Sequence, residues 1–362
     1  MKRVFGALLL SAVAVVVYLT LRGGPAVDAP GFGRASGPIQ TVTALVGGEK
    51  MRFLGNEDVQ RILRERHRIE LDATKAGSIE MVTILPTAGK DCLWPSNQVA
   101  VEIFRRGGGS PLAEETIFNS PLVLYTWDVV ADALAAEGWI AERGGAYYVG
   151  DFPAMIDKVV AGTGWSEVGL SQLFGNMKIF STDPRRSNSG NMFAGLLVNM
   201  MNGGEVVTAE RLPSLEPQLI DYFRRMGFME HSSGDIFENF LKTGVGAKPI
   251  IVGYENQLIE FALEHEEHQD LLRRRIRTLY PVPTVWSSHP IIALEPACRD
   301  LIQALQDPEL QQLAWERHGF RSGLMDVEND PDALPVAGVP RSIDAVVPMP
   351  SAAVMERIVD AL

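Results

Sequence analysis

The densest set of residues able to hold a ligand lies at positions 181–191, Ser-Thr-Asp-Pro-Arg-Arg-Ser-Asn-Ser-Gly-Asn. It precedes a run, 191–201, in which Met192, Phe193, Leu196, Leu197 and Met200 recur at three-to-four spacing, the pattern of an amphipathic helix. A helix start leaves backbone N–H groups unpaired and carries the positive end of the helix dipole, which suits an anion. Arg185 or Arg186 offers a forked guanidinium for an oxyanion or carboxylate. Thr182, Ser187 and Ser189 add hydroxyls, Asn188 and Asn191 add amides, and Gly190 lets backbone approach a ligand closely. Plain capping by Ser187, Asn188 or Ser189, with solvated arginines, is the alternative. Capping accounts for one of these residues, not for the set.

Three further junctions are small and polar: Gly47-Gly48-Glu49-Lys50, Ala76-Gly77-Ser78 and Pro95-Ser96-Asn97. Each follows a short apolar run. In sheets of parallel strands, ligands bind beyond the carboxyl ends of the strands. Gly48, Glu49, Lys50, Gly77, Ser78 and Ser96 are therefore candidate contacts, and so is Tyr254, which ends the run 249–253. The elements that must position them alternate. Strands are expected at 41–46, 69–73, 121–125, 178–181, 249–253 and 290–294. Helices are expected near 56–65, 100–105, 129–137, 191–201, 256–264, 297–305, 308–317 and 352–362. Such alternation means an α/β fold with mostly parallel sheet and helices on both faces.

Other constellations point away from catalysis. His265-Glu266-Glu267-His268 places two histidines a turn apart, but without a third ligand nearby it reads as a solvated charged face. Gly107-Gly108-Gly109-Ser110 lacks the Gly-Lys-Ser/Thr ending of a phosphate loop. Ser166, in Gly-Trp-Ser-Glu-Val-Gly, is not at a nucleophile elbow. With no acid–base pair or nucleophile set visible, no enzyme, cofactor or metal is expected. Trp127, Trp165 and Trp286 are either cleft walls or core.

The net charge of −12 excludes the phosphate-neutralising excess that nucleic acid requires. At the N-terminus, Lys2 and Arg3 precede an uncharged apolar stretch, 5–21, closed by Arg22. This is the pattern of an export signal, long enough to serve instead as an uncleaved membrane anchor. Residues 23–40, rich in Gly, Pro, Ala and Ser, read as a flexible tether. The rest of the chain suits two lobes better than one core. Cys92 and Cys298 are the two cysteines; in an oxidising compartment they form either one disulfide or two buried thiols.

The stretch 182–191 resembles the central anion-binding segment of type II periplasmic solute-binding proteins, the group that holds phosphate, molybdate and sulfate receptors. Ala76-Gly77-Ser78 is similar to the step that ends their second strand, and Gly253-Tyr254-Glu255 to a strand end facing the cleft. The run 290–313 with Gly319-Phe320-Arg321 resembles their returning strand, helices and ending. The resemblance covers roughly residues 40–325. It implies two lobes, 41–122 with 287–362 and 123–286, joined by crossing strands near 121–127 and 279–289 and closing on a ligand. It further implies an extracytoplasmic protein that delivers a small, anionic solute to an ABC permease, or a membrane-tethered receptor-like signalling module of the same fold. Gly47-Gly48 departs from the pattern, since related anion receptors often carry a serine or threonine there.

Overall fold

Val42, Ala44 and Val46 alternate on one face of the first strand, and all three are completely buried. Leu45, on the other face, is buried too. A strand covered on both faces is the mark of a parallel sheet sandwiched by helices. The computed structural model describes residues 37–343 and 345–362. The export or anchor segment and most of the tether lie outside the described residues.

Ten strands are present: β1 Gln40–Val46, β2 Ile69–Lys75, β3 Cys92–Trp94, β4 Ala113–Trp127, β5 Ile140–Arg143, β6 Ala146–Val149, β7 Ile250–Tyr254, β8 Ile276–Pro281, β9 Trp286–Ala293 and β10 Arg321–Ser322. Their order is β2-β1-β3-β9-β4-β8-β6-β5, with β7 and β10 also on β4. β1 runs parallel to β2 and to β3, and β6 parallel to β8. The antiparallel pairs are those of β4 and β9 and the β5–β6 hairpin. The fold class is thus α/β, with helices on the faces of two sheets that share β4.

β4 passes from one sheet to the other. Residues up to Pro121 pair with β9, and from Leu122 onward β4 pairs with β7 and β8. The expected strand at 121–125 is therefore the second half of a longer one. Two cores follow from this division. One gathers around Val42, Val46, Phe53, Phe118 and Ile291, the other around Leu122, Leu124, Met192, Phe193 and Leu279.

Local chemistry sets the helix starts. Asn56 caps Glu57–Glu65 by accepting from the N–H groups of Asp58 and Val59. Asn97 caps Gln98–Arg106 through the Ala100 N–H at 2.8 Å. Each such cap contributes about 1 kcal/mol. The helix expected at 191–201 starts earlier and spans Asn188–Met201, and that expected at 352–362 spans Ala352–Ala361.

The strand expected at 178–181 does not form. Phe180 alone bridges Ile251, in parallel. The Ile179 carbonyl accepts from the buried Tyr222 hydroxyl at 2.6 Å. Cys92 and Cys298 are joined as a disulfide, which links β3 to the Pro296–Leu305 helix across 206 positions.

Candidate functional site

A cleft of about 1210 Å³ opens between the loops that follow β1 and β2 on one side and residues 186–189, Tyr254 and the helices after residue 231 on the other. Of the residues singled out in the sequence, Gly48, Glu49, Gly77, Ser78, Arg186, Ser187, Asn188, Ser189 and Tyr254 line it together. Lys50, Ser96, Thr182, Gly190 and Asn191 are buried outside that lining, and Arg185 is exposed away from it.

The first wall is sealed. The Lys50 side chain is 0% exposed. Its ammonium donates to Glu49 Oε1 at 2.5 Å, Ser96 Oγ at 3.0 Å and the Pro95 carbonyl at 3.3 Å, and it lies 3.2 Å from His289 Nδ1. Burial opposes charge on the Glu49 carboxyl, yet the adjacent Lys50 ammonium and His289 hold it well below the usual range. The same burial, aided by Lys50, pushes His289 down to about 4, so its ring is neutral at pH 7. Ser96 ties this cluster to its surroundings. Its N–H donates to Ser78 Oγ at 3.0 Å, its carbonyl accepts from Ser287 Oγ at 2.7 Å, and its hydroxyl donates to Glu49. Lys50 is consequently a structural cation rather than a ligand contact.

The second wall is built around the N-terminus of the Asn188–Met201 helix. Ser187 stands at the cap position but makes no capping bond with its side chain. Its hydroxyl instead joins a chain: Ser187 Oγ to Ser189 Oγ at 3.0 Å, and Ser189 Oγ to Thr182 Oγ1 at 2.8 Å. The Ser189 hydroxyl also hydrogen-bonds the Tyr254 phenol, so the chain runs on to the end of β7. Asn188 reaches across the gap, donating to the Tyr254 hydroxyl at 2.8 Å and meeting Asn97 from the first wall. Burial raises the Tyr254 phenol well above its ordinary range, so it stays protonated.

The two arginines divide. Arg185 folds back on Asp183 with Nε and Nη2 each at 2.9 Å from a carboxylate oxygen. Arg186 lines the cleft, exposed, with no side-chain hydrogen bond or ion pair among the described residues. Gly190 serves the chain itself: a Cβ there would lie 2.3 Å from the Thr182 carbonyl oxygen. The close approach expected for a ligand is made by the returning backbone.

Two lining residues lacked a signal in sequence. Lys75, the last residue of β2, is exposed in the cleft without an ion pair. Its position at the carboxyl end of a parallel strand is the clue that could have found it. Asn256, in the first turn of the Glu255–Glu264 helix, is 1% exposed, and neither amide atom has a partner. The other cations of the lining are engaged: Arg52 with Glu264, Lys242 with Glu238, Arg275 with Asp128. Glu80 and Asp235 are its carboxylates without an ion pair among the described residues. His265 and His268 stand at the same cleft. Among the described residues no group of three or more His, Cys, Asp or Glu is placed to hold a metal. Trp127 is a wall of the cleft, whereas Trp165 is core.

No protein-family model matches the chain, and no curated protein is significantly similar to it. Solved structures do share the fold. Iron-bound HitA from Pseudomonas aeruginosa superposes with a TM-score of 0.58 at 10% identity, over 89% of this chain and 99% of that one. The apo ferric ion-binding protein A of Pasteurella haemolytica gives 0.57 at 11% identity, over 89% and 96%. A two-component system protein that mediates signal transduction gives 0.52 at 13% identity, over 88% and 100%. The fold is that of the type II periplasmic solute-binding proteins.

Proposed function

We propose that this chain is an extracytoplasmic solute-binding protein that captures a small anionic solute in the cleft. The observation that carries the reading is the N-terminus of the Asn188–Met201 helix, which has no side-chain cap and faces the cleft beside Arg186 and the hydroxyls of Ser187 and Ser189. An anion there meets backbone N–H groups, a helix dipole and a guanidinium at once. Lobe one comprises 41–122 with 287–362 and lobe two 123–286, and closure brings Ser78 and the β1 loop toward Arg186. An ABC permease receives the solute, and the 5–21 segment either directs export or holds the protein at the membrane.

Calorimetry on the full chain with phosphate, sulfate, molybdate and short carboxylates tests this. At least one is expected to bind, and R186Q is expected to abolish the heat. Silence of the folded protein across the whole panel would sink the reading.

The likeness to a signal-transduction protein favours a second reading, in which the same cleft reports on its solute rather than delivering it. Affinity purification from membranes separates the two. A permease that follows the protein supports delivery; a kinase-bearing partner without a permease supports sensing.

A further inference from the structure

The anion end accounts for only one part of the cleft. From Arg186 the same cavity continues beneath three helices, Ser233–Thr243, Glu255–Glu264 and Gln269–Arg275. Six apolar side chains line it there, Trp127, Phe237, Leu241, Phe261, Leu271 and Leu272, interleaved with polar ones such as Asp235, Gln257 and Glu260. Phe237 and Phe261 pack edge to face with ring centres 6.0 Å apart. Leu271 leaves 53% of its surface open although it faces this groove. Apolar side chains so placed are not needed to grip a bare tetrahedral ion, whose partners are N–H, O–H and cationic groups. They are what a hydrocarbon body requires.

The guanidinium of Arg186 and the helix end without a side-chain cap line the same cavity. Along the groove, Lys242 and Arg275 are neutralised by Glu238 and Asp128. Asn256 supplies an amide, buried and without a partner, at the cleft. Buried amides left unmatched are costly, at about 1–3 kcal/mol each, which a ligand's polar atom relieves. The volume, about 1210 Å³, also exceeds the roughly 300–1000 Å³ that holds a drug-sized organic molecule.

We infer that the solute is an organic anion with an apolar body, such as an alkyl or aryl phosphate or carboxylate. Its charged head lies at Arg186 and the Asn188–Met201 helix start, with its body along the Phe237–Phe261–Leu271 wall. This inference rests on the anion-binding reading of the cleft and adds the class of ligand. Lys75 lines the opposite wall, but the head is assigned to Arg186, where a guanidinium and a helix start occur together.

Titration of the full chain with inorganic phosphate and with methyl, butyl, hexyl and octyl phosphate, each below its micelle concentration, tests the assignment. Affinity is expected to climb with chain length, by up to about fourfold per methylene placed against the wall. L271N, which removes apolar surface without adding charge, is expected to flatten that climb. R186Q is expected to weaken every member of the series. Equal affinities along the series overturn the inference and leave the anion-binding reading intact. Chain-length dependence that survives R186Q unchanged also overturns it, since that is adsorption to an apolar patch. Failure of every member, inorganic phosphate included, overturns the inference, while the anion-binding reading is decided by the sulfate, molybdate and carboxylate arms of the calorimetric panel.

Discussion

The two walls of the cleft handle charge in opposite ways. On the β1 side, Lys50 and His289 are fully buried and bonded with Glu49 and Ser96, which ties up the Lys50 ammonium and Glu49 Oε1 within the protein. On the Arg186 side, a helix end without a side-chain cap and a guanidinium are left over. A buried ion cluster fixes the shape of a loop, whereas an unmatched set creates demand for a partner. The comparison teaches that polar residues at a strand end do not by themselves make a contact. What distinguishes a site is capacity that the protein has not used.

The largest effect is expected from breaking the sealed wall. K50M removes the cation and leaves the Glu49 carboxylate buried beside a neutral imidazole. Loss of one partner from a buried pair costs about 3–5 kcal/mol. The midpoint of urea unfolding should fall accordingly, and an unchanged midpoint would show that the cluster is wetter than its geometry implies. Next comes G190A, on the open wall. Its methyl group would overlap the Thr182 carbonyl, for an expected loss of about 1–3 kcal/mol. Because the backbone must shift to accept it, anion affinity should fall as well. Retained affinity at reduced stability would mean that the hydroxyl chain is not part of the site.

A pH scan separates the walls without mutation. His289 titrates near 6.5 when unfolded and about 4 when folded. Between those values the unfolded chain binds a proton that the native state refuses, so stability falls as the pH drops from about 6.5 to 4. H289Q should lose most of that slope in melting temperature. A slope unaltered by the substitution would place its origin elsewhere. The smallest stability effect belongs to R186Q: within about 0.5 kcal/mol of the parent, as for an exposed residue without partners, yet with at least a tenfold loss in anion affinity. A marked drop in stability would show that Arg186 has a structural role after all.

Much of this was legible in sequence where local signals are strong. The Met192–Met200 periodicity announced its helix. The missed first half of β4 shows the limit. Residues 113–120 read as polar, with Glu114, Glu115 and Asn119, and they become strand because β9, far away in sequence, pairs with them. The strand expected at 178–181 is reduced to one bridge, with only Phe180 bonded to β7 through its N–H and carbonyl. At the site, residue types were readable but allegiance was not. Nothing local reveals that Arg185 turns to Asp183 while its neighbour stays free, or that Lys50 is enclosed. The apolar wall is assembled from three helices that share no motif, so composition carried no trace of it.

One feature of the sheet bears on when the protein can fold. β9 lies between β3 and β4, yet it is made on the order of 200 residues after β3. At about 5–20 residues per second, β3 emerges from the ribosome roughly 10–40 s before the strand that must lie beside it. Over that interval the first sheet has no means of closing, and Cys92 has no Cys298 to join. Chain order thus acts as a timer. It leaves one edge of β3 and the first half of β4 without their β9 partner through most of synthesis and makes completion of the C-terminal part the event that commits the first sheet to its native form.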